Sequence, residues 1–525
     1  MHPIGCTMDD FIMNYSLLWN TVRHLKGRQL LFLLLYRLHK PKFNSCCLSP
    51  SAYEVAQKHH LHTASIPRWR SCEREYFTFL NLRHEFAGWN FTDNGVLWAY
   101  NQNYFDWINQ KEISKEEACR WIDQFITELP GNKVGLDPYP IALRCINWVK
   151  FFCIHPETAT KPRLDSLWSQ YKLLEHKLEY HLLGNHLLED AFSLTIGGYF
   201  FSDEHMKQKG TKLLLHELKE EILPDGAHYE QSPMYHCILL DRLLDTYNIT
   251  GYTQLIPYAQ SMLGHLESIC YNDGTWPFFN DATLGIAPMS EDIKDYARRL
   301  GITWEALPLK ECGYCKMQSK RMEAFVDVGN IKATYQPGHS HADSLTFELR
   351  IDEEPFIVDT GISTYEKNER RQYERSTAAH NTVTSKGRNS SEVWGGFRVG
   401  KRCKVTCIKD EGRYIVAEHS SFGSVHRRQF SINDNQFVIA DFCEAEDCVA
   451  HLHFAPSIRE ISIYDNIICT PLADIKVTGK NISIVIADCE VSKKYNIRQK
   501  SKEVLISFDG ECIVMVEAKF NIQKQ

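Results

Sequence analysis

The spacing of apolar residues changes once along this chain of 525 residues, and the change separates two kinds of structure. Between about residues 50 and 310, apolar residues recur every three or four positions, as they do in the stretch 182–194, which predicts amphipathic helices. Beyond about residue 320, apolar and polar residues alternate, as in 345–351, which predicts strands. Turn residues separate these strands and no helical pattern intervenes, so we expect antiparallel sheets.

A chain of this length exceeds what one hydrophobic core supports, so we divide it into parts. Residues 1–49 are predicted to form a basic, amphipathic N-terminal arm that docks on the body or on another surface. Residues 50–315 are predicted to form a helical domain, and residues 316–525 an antiparallel β-sandwich. The expected fold class is therefore α+β and multidomain.

Composition and charge exclude several classes of protein. A hydrophobic content of 43% and a charged content of 24% are typical of a folded globular protein. The net charge of -7 argues against a nucleic-acid partner. No apolar run approaches the roughly 18 residues of a transmembrane helix. The oligomeric state is not indicated.

The N-terminus and the cysteines bear on location. The apolar run 30–36 is short and is followed by basic residues rather than by a small-residue cleavage site, so we predict no signal peptide. The 18 cysteines lack framework spacing and are expected to be reduced. Both observations favour the cytoplasm, with the periplasm or the cell surface left open.

Polar residues that suit catalysis or metal binding gather in one region. His339, His341 and Asp343 share one parity with the apolar Leu345 and Phe347, so in an extended strand they would project from the same side. Histidines at the end of such a row are expected to point into a cleft or at a metal.

A local surplus of positive charge follows these histidines. Between residues 367 and 402 there are nine basic residues and three acidic ones, in a chain that is acidic as a whole. The surplus is either a solvated loop face or a binding site for an anionic ligand.

An ordered set of motifs resembles the heparinase II/III family of polysaccharide lyases. The motifs are 184–189 (GNHLLE), 223–236 (LPDGAHYEQSPMYH), 279–281 (FND), 339–343 (HSHAD) and 376–382 (STAAHNT). The resemblance implies an incomplete (α/α) toroid followed by an antiparallel β-sandwich. It also implies cleavage of uronic-acid polysaccharides by β-elimination, with hyaluronan, chondroitin, heparosan or heparan sulfate as substrate and 4,5-unsaturated uronate ends as product.

The resemblance also implies site residues. Asn185 and His186 match a pair that neutralises the uronate carboxylate. Tyr235 is expected to be the acid, and either Tyr235 or His339 the base. Tyr235 follows Ser232-Pro233, which predicts a helix N-terminus that would lower the pKa of the phenol. Residues expected to bind substrate are Tyr229, Glu230, Gln231, Arg371, Tyr373 and Arg375.

His341, Asp359 and His380 match family positions that hold a structural metal, usually zinc. Two imidazoles and a carboxylate suit Zn²⁺, whose expected task is to fix the segment that presents His339. No organic cofactor is expected.

Other functions stay open at this level. Alginate or another polyuronate could be the substrate. A metal-dependent hydrolase could use the same histidines and aspartate, but the carboxylate base usual beside such a metal is not evident. A non-catalytic carbohydrate-binding relative would be expected to lack the acid and the base, whereas both are present.

Overall fold

The structure is a computed structural model that describes residues 15–38 and 41–519. Helices dominate the N-terminal part. They are α1 (Tyr15–Val22), α2 (Gly27–Leu38), α3 (Pro50–Ala56), α4 (Val96–Tyr104), α5 (Lys115–Glu128), α6 (Pro138–Ile154), α7 (Lys161–Leu174), α8 (Gly184–Phe200), α9 (Glu204–Glu221), α10 (Pro233–Thr250), α11 (Ile256–Ile269), α12 (Ser290–Arg299) and, later in the chain, α13 (Glu369–Glu374).

Helix α8 lies at the centre of the helical domain. Nearly all its residues are buried, and it packs against α6, α9 and α10. Helix α6 is buried to a similar extent because most of its residues are apolar, and its Arg144, Asn147 and Lys150 are buried with them. The first motif therefore lies in the core rather than on the surface.

A small sheet in the helical domain was not predicted. It comprises β1 (Cys72–Glu73), β2 (Tyr76–Phe79) and β3 (Leu82–Glu85), paired antiparallel in that order. Its strands have only two to four residues, which is too short for a clear alternation of apolar and polar residues.

Strands dominate the C-terminal part. They are β4 (Tyr314–Gln318), β5 (Met322–Asp327), β6 (Phe347–Ile351), β7 (Glu354–Ile357), β8 (Val383–Ser385), β9 (Val393–Trp394), β10 (Arg398–Val399), β11 (Thr406–Asp410), β12 (Tyr414–His419), β13 (His426–Ile432), β14 (Gln436–His453), β15 (Ser462–Tyr464), β16 (Ile467–Cys469), β17 (Ala473–Gly479), β18 (Ser483–Lys494) and β19 (Ile497–Ala518).

The strands form two main antiparallel sheets. One has the order β4-β5-β6-β7, and the other runs β11-β12-β13-β14-β19-β17-β16-β15, with β8 on β14 and β18 on β19. A shared apolar core joins the two sheets. The predicted order, helices followed by antiparallel sheets, is confirmed.

The segment with two of the histidines differs from its prediction. Residues 328–346 form turns and irregular backbone, and β6 begins only at Phe347. Leu345 has a φ of 65°, a left-handed conformation that a strand does not contain. The expectation that His339, His341 and Asp343 share the face of an extended strand is therefore wrong.

The described cysteines are free thiols, in keeping with the reduced state predicted for them. None of the helices within residues 15–38 and 41–519 has the length and apolar character needed to cross a bilayer.

Candidate active site

A cleft of about 1050 Å³ lies where the helical and β domains meet. The helical domain contributes Asn185, His186 and Tyr235 to its wall, and the β domain contributes His339. The structure thus brings the four predicted catalytic residues together, although 154 positions separate Asn185 from His339.

The backbone before α8 presents Asn185 in an unusual conformation. Leu183 and Gly184 have φ angles of 62° and 61°. A Cβ atom on Gly184 would lie 2.6 Å from Oε1 of Glu230, so only glycine fits at this position. The turn directs Asn185 towards Glu230, whose oxygens accept hydrogen bonds from Nδ2 of Asn185 at 2.9 and 3.1 Å.

His186 faces the cleft from the same turn of α8. Its Nδ1 lies 3.1 Å from Oε2 of Glu179, and its ring packs on Tyr139 with a centroid distance of 4.7 Å. Burial disfavours the imidazolium form, but the nearby carboxylates of Glu179, Glu230 and Glu189 together outweigh burial and raise the pKa of His186. His186 is therefore suited to carry positive charge towards an anionic ligand.

Tyr235 occupies the predicted first turn of α10. Ser232 is the N-cap, Pro233 begins the helix, and the Ser232 hydroxyl accepts a hydrogen bond from the backbone of Tyr235. Burial, together with the negative charge of Asp281, raises the pKa of the Tyr235 phenol. The expectation that the helix N-terminus lowers this pKa is wrong, because desolvation of a phenolate outweighs the helix dipole.

The two nitrogens of the His339 imidazole have different partners. Its Nδ1 donates to Oδ2 of Asp281 at 2.8 Å, so Nε2 carries the lone pair. That Nε2 lies 3.4 Å from Nδ2 of Asn185. The arrangement leaves His339 able to accept a proton inside the cleft.

Asp281 organises this part of the site, and the sequence reasoning did not assign it a role. It accepts a bidentate pair from Arg371 at 2.5 and 2.7 Å, and its Oδ1 accepts from Nε2 of His341 at 2.8 Å. Burial opposes the charged form, but Arg371 and the two histidines hold the pKa of Asp281 well below its usual range. The one signal in the sequence was its place in the motif at 279–281.

The residues expected to bind substrate lie behind the cleft rather than on its wall. None of the six contributes to the lining of the cleft. Glu230 holds Asn185, Arg371 holds Asp281, and Arg375 donates to the carbonyl of Ser340.

The other three of these residues contact the protein as well. Gln231 bonds backbone groups at Cys312 and Lys332, and Tyr229 is buried against Tyr335. Tyr373 is half-buried beside Arg370.

Other members of the basic segment do reach the cleft. Lys367, Arg398 and Arg402 line it. The Nε and Nη1 atoms of Arg402 are buried without a hydrogen-bond partner, and burial together with Arg23 lowers its pKa to about 10. A guanidinium in that state fits an incoming carboxylate or sulfate.

The N-terminal arm also forms part of the cleft wall. Its residues that line the cleft include Leu18 of α1, Leu25 of the link and Gln29 of α2. Gln29 donates to the carbonyls of Leu182 and Tyr335, while Thr21 accepts from the indole of Trp394. The arm therefore bridges the helical domain and the β domain beside the catalytic residues.

The predicted metal residues His341, Asp359 and His380 are neighbours, but their potential ligand atoms do not all lie within 4.8 Å of one another. His380 donates through Nδ1 to Asp359 at 2.7 Å, and the rings of His341 and His380 have centroids 5.2 Å apart. Nδ1 of His341 and Nε2 of His380 are buried without hydrogen-bond partners, as is Oδ2 of the nearby Asp343. Two unpaired imidazole nitrogens beside buried carboxylates fit a cation.

Tighter groups of potential ligands occur elsewhere. In the described part of the chain, two sets of three residues bring ligand atoms within 4.8 Å of one another. They are Asp225, His265 and Cys312, and His451, His453 and Glu503.

Comparisons with known proteins identify the family. Models of the heparinase II/III N-terminus and of the heparinase II/III-like C-terminal region match residues 154–301 and 302–523. A heparin-sulfate lyase from Bacteroides stercoris is 23% identical over 423 residues, which are 71% of this chain and 61% of that lyase. The chain thus spans about three fifths of the length of that curated relative.

Solved structures share the fold of this chain. A heparinase III matches with a TM-score of 0.66 at 14% identity, covering 93% of this chain and 88% of the other. The Streptomyces coelicolor A3 chondroitin AC lyase, solved with chondroitin sulphate, matches with a TM-score of 0.52 at 10% identity, covering 94% and 82%. The predicted fold, a toroid followed by antiparallel sheets, is confirmed. The chain therefore belongs to the heparinase II/III family.

Proposed function

We propose that this protein is a polysaccharide lyase that cleaves glycosaminoglycan-type chains by β-elimination at a uronate. The observation that carries the proposal is the convergence of three groups at one point of the cleft. Nε2 of His339 lies 3.4 Å from the Asn185 amide, and the His339 ring packs against Tyr235 with a centroid distance of 4.0 Å.

The first requirement of the reaction is neutralisation of the uronate carboxylate, because C5 is not acidic beside a full negative charge. The Asn185 amide faces the cleft beside the base, and the raised pKa of His186 favours its cationic form. Glu230 fixes the orientation of the Asn185 amide.

Proton removal falls to His339. Its Nε2 takes the proton from C5, the C5–H electron pair forms the C4=C5 double bond, and the C4–O bond breaks. The Asp281 carboxylate on Nδ1 stabilises the imidazolium that results. The role of Asp281 is therefore to position and support the base.

Protonation of the leaving oxygen falls to Tyr235. A raised pKa keeps the phenol protonated, so it is available to donate to O4 as the C4–O bond breaks. The same raised pKa disfavours Tyr235 as the base. The contact of His339 with Asp281 and the burial of Tyr235 therefore favour His339 as the base and Tyr235 as the acid.

The proposed substrate is a heparan-sulfate-type chain or its unsulfated precursor, heparosan. The curated relatives in the comparison are named heparin-sulfate lyases, and Arg402 offers an unpaired guanidinium to an acidic sugar. Chondroitin, hyaluronan and alginate are the competing substrates.

The arm bears on how a chain enters the cleft. Because it ties the helical domain to Trp394 of the β domain, it obstructs a long polymer lying across the site. We therefore infer a preference for chain ends or short oligosaccharides over internal bonds.

A structural zinc ion is proposed at His341, Asp359 and His380. The free nitrogens of the two histidines are the atoms that would hold it, with Asp343 as a further acidic neighbour. When bound, the ion supplies structural cross-linking, which fixes the loop that carries His339. Proton transfer is left to His339 and Tyr235.

The experiment that tests this function is incubation with heparosan, heparan sulfate, chondroitin sulfate, hyaluronan and alginate. Ultraviolet absorbance reports the conjugated uronate, and chromatography follows product size. We expect absorbance to rise with heparosan or heparan sulfate and unsaturated disaccharides to appear from the start. Absence of absorbance on every polymer and on oligosaccharides derived from them would overturn the proposal.

A further inference from the structure

Helix α2 is apolar on opposite sides, and only one of these sides is covered by the residues that the structure describes. Gln29, Phe32 and Tyr36 face the body, where the Phe32 ring packs on Tyr180 at 4.6 Å and the Tyr36 hydroxyl donates to the carbonyl of Leu178. Four leucines at positions i, i+3, i+4 and i+7 face solvent instead. They are Leu31, Leu34, Leu35 and Leu38, with 53%, 55%, 42% and 76% of their surface exposed.

Helix α1 adds exposed aromatic residues to the arm. Tyr15 and Trp19 are 73% and 66% exposed. Aromatic rings of this kind are enriched where a protein meets the headgroup region of a bilayer. A cluster of large apolar side chains at helical spacing departs from the scattered exposed residues of an ordinary surface.

The charge of the arm is opposite to that of the whole protein. Between residues 11 and 53 the sequence contains six lysines and arginines and no aspartate or glutamate, although the net charge of the chain is -7. Arg28 and Arg37 are exposed on α2, and Arg23 is exposed on the link between α1 and α2. Apolar side chains flanked by basic ones are typical of helices that lie in the surface of an anionic membrane.

We propose that α1 and α2 form a docking surface for an anionic lipid bilayer, with the leucines of α2 and the aromatic rings of α1 entering the interface. The exposed leucines enter the apolar region, and the arginines contact lipid phosphates. The chain would then bind the bilayer surface as a peripheral membrane protein. None of the described helices needs to cross the bilayer for this.

The docking surface lies on the arm that also forms part of the cleft wall. Leu30 and Leu33 of α2 line the cleft, whereas Leu31 and Leu34, one position further along, face outward. Docking therefore brings the cleft close to the lipid surface, where a glycan attached to that surface is within reach. Membrane binding itself does not depend on the proposed lyase activity.

Sedimentation with vesicles tests the proposal. The full chain is mixed with vesicles of phosphatidylcholine alone or of phosphatidylcholine with phosphatidylglycerol, at low and high salt. We expect binding to the phosphatidylglycerol vesicles that weakens with salt. The double variant Leu31→Glu/Leu34→Glu should bind at least about tenfold more weakly, because both charges would enter the apolar region.

A matched control separates a specific surface from general hydrophobicity. Ile408 and Val485 are 51% and 53% exposed on the β domain, so Ile408→Glu/Val485→Glu makes the same chemical change elsewhere. That variant should bind vesicles like the wild type, and circular dichroism should show that both variants are folded. Equal loss in both variants would overturn the proposal.

Two further results would overturn it. One is a wild-type chain that stays in solution with phosphatidylglycerol vesicles. The other is self-association that Leu31→Glu/Leu34→Glu abolishes without any vesicle binding by the wild type, because the leucines would then bind a second copy of the chain.

Discussion

The imidazole of His339 and the phenol of Tyr235 pack together in the cleft with their ring centroids 4.0 Å apart and their planes tilted by 31°. Tyr235 belongs to α10 of the helical domain, whereas His339 belongs to the loop before β6. The proposed acid and base therefore come from different domains. Catalysis on this geometry requires the two domains to keep their relative position.

The role of Tyr235 is tested by removing its hydroxyl group. Tyr235→Phe should leave the fold intact and lower kcat by about 10²-fold or more, the scale of a lost general acid. Tyr365→Phe is the matched control, because the Tyr365 hydroxyl donates to that of Tyr235 at 3.3 Å without reaching a sugar oxygen in the proposed reaction. The control should lose less than about tenfold. Near-normal turnover in Tyr235→Phe would move the acid to another group.

The role of Asp281 is tested by Asp281→Asn. The amide no longer stabilises an imidazolium on His339, so kcat should fall by about 10²-fold or more. Arg371→Gln serves as the control, since it removes the other partner of Asp281 and leaves the contact with His339 in place. Breaking this buried ion pair should cost about 3–5 kcal/mol of unfolding free energy in either variant.

Kinetics well below the unfolding midpoint separate the two roles. Only Asp281→Asn should show the large fall in kcat. Equal kcat values for the two variants would mean that Asp281 acts through the fold alone.

Arg402 is predicted to bind an acidic group of the substrate. A charge-assisted hydrogen bond contributes about 1.5–3 kcal/mol, so Arg402→Gln should raise KM by about tenfold or more with little change in kcat. Lys401→Gln removes the neighbouring charge, which lies outside the cleft lining, and should leave KM unchanged. Similar KM values in the two variants would contradict the assignment.

Acid sensitivity of the fold is predicted from His228. Burial lowers the pKa of this histidine to about 4, below the value of about 6.5 in an unfolded chain. Between pH of about 6.5 and 4, His228 therefore binds a proton in the unfolded state but not in the folded state. His228 contributes stability fully above pH of about 6.5 and loses it as pH falls towards 4, up to about 3 kcal/mol.

Urea unfolding between pH 7 and 4.5 tests this prediction. The variant His228→Gln keeps a polar group beside Glu221, which lies 2.8 Å from the histidine, but cannot titrate. Its unfolding free energy should fall less over this range than that of the wild type. Parallel curves for the two proteins would exclude His228 as a source of acid sensitivity.

The metal is tested by elemental analysis of the purified protein. About one zinc ion per chain is expected, and His380→Ala should lose both the ion and thermal stability. A zinc ion could also bind at another group of potential ligands, such as His451, His453 and Glu503. The variant His453→Ala therefore serves as a control for the position of the ion. Retention of the ion by His380→Ala and its loss from His453→Ala would place the metal at His453.

Local sequence predicted the helical side of the site well. The N-cap and proline before Tyr235 depend on neighbouring residues, so the pattern of types reveals them. The helical spacing of residues 182–194 did not reveal the left-handed backbone at Leu183 and Gly184, where α8 begins.

Contacts between distant segments were not predictable in this way. Asp281 acquires its role from Arg371, which is 90 positions away, and nothing near either residue reveals the pair. The same contact explains why Arg371 is buried rather than available to substrate. The left-handed backbone at Leu345 likewise depends on tertiary packing, which the alternation of apolar residues does not encode.

The most direct measurement of the central claim is mass spectrometry of the products formed in water enriched in heavy oxygen. Elimination splits the chain without adding water, so the account predicts a product ending in an unsaturated uronate and no incorporation of labelled oxygen at the cleaved bond. Incorporation of one labelled oxygen per cleavage, without the double bond, would show that the protein is a hydrolase and would contradict the roles given to His339 and Tyr235.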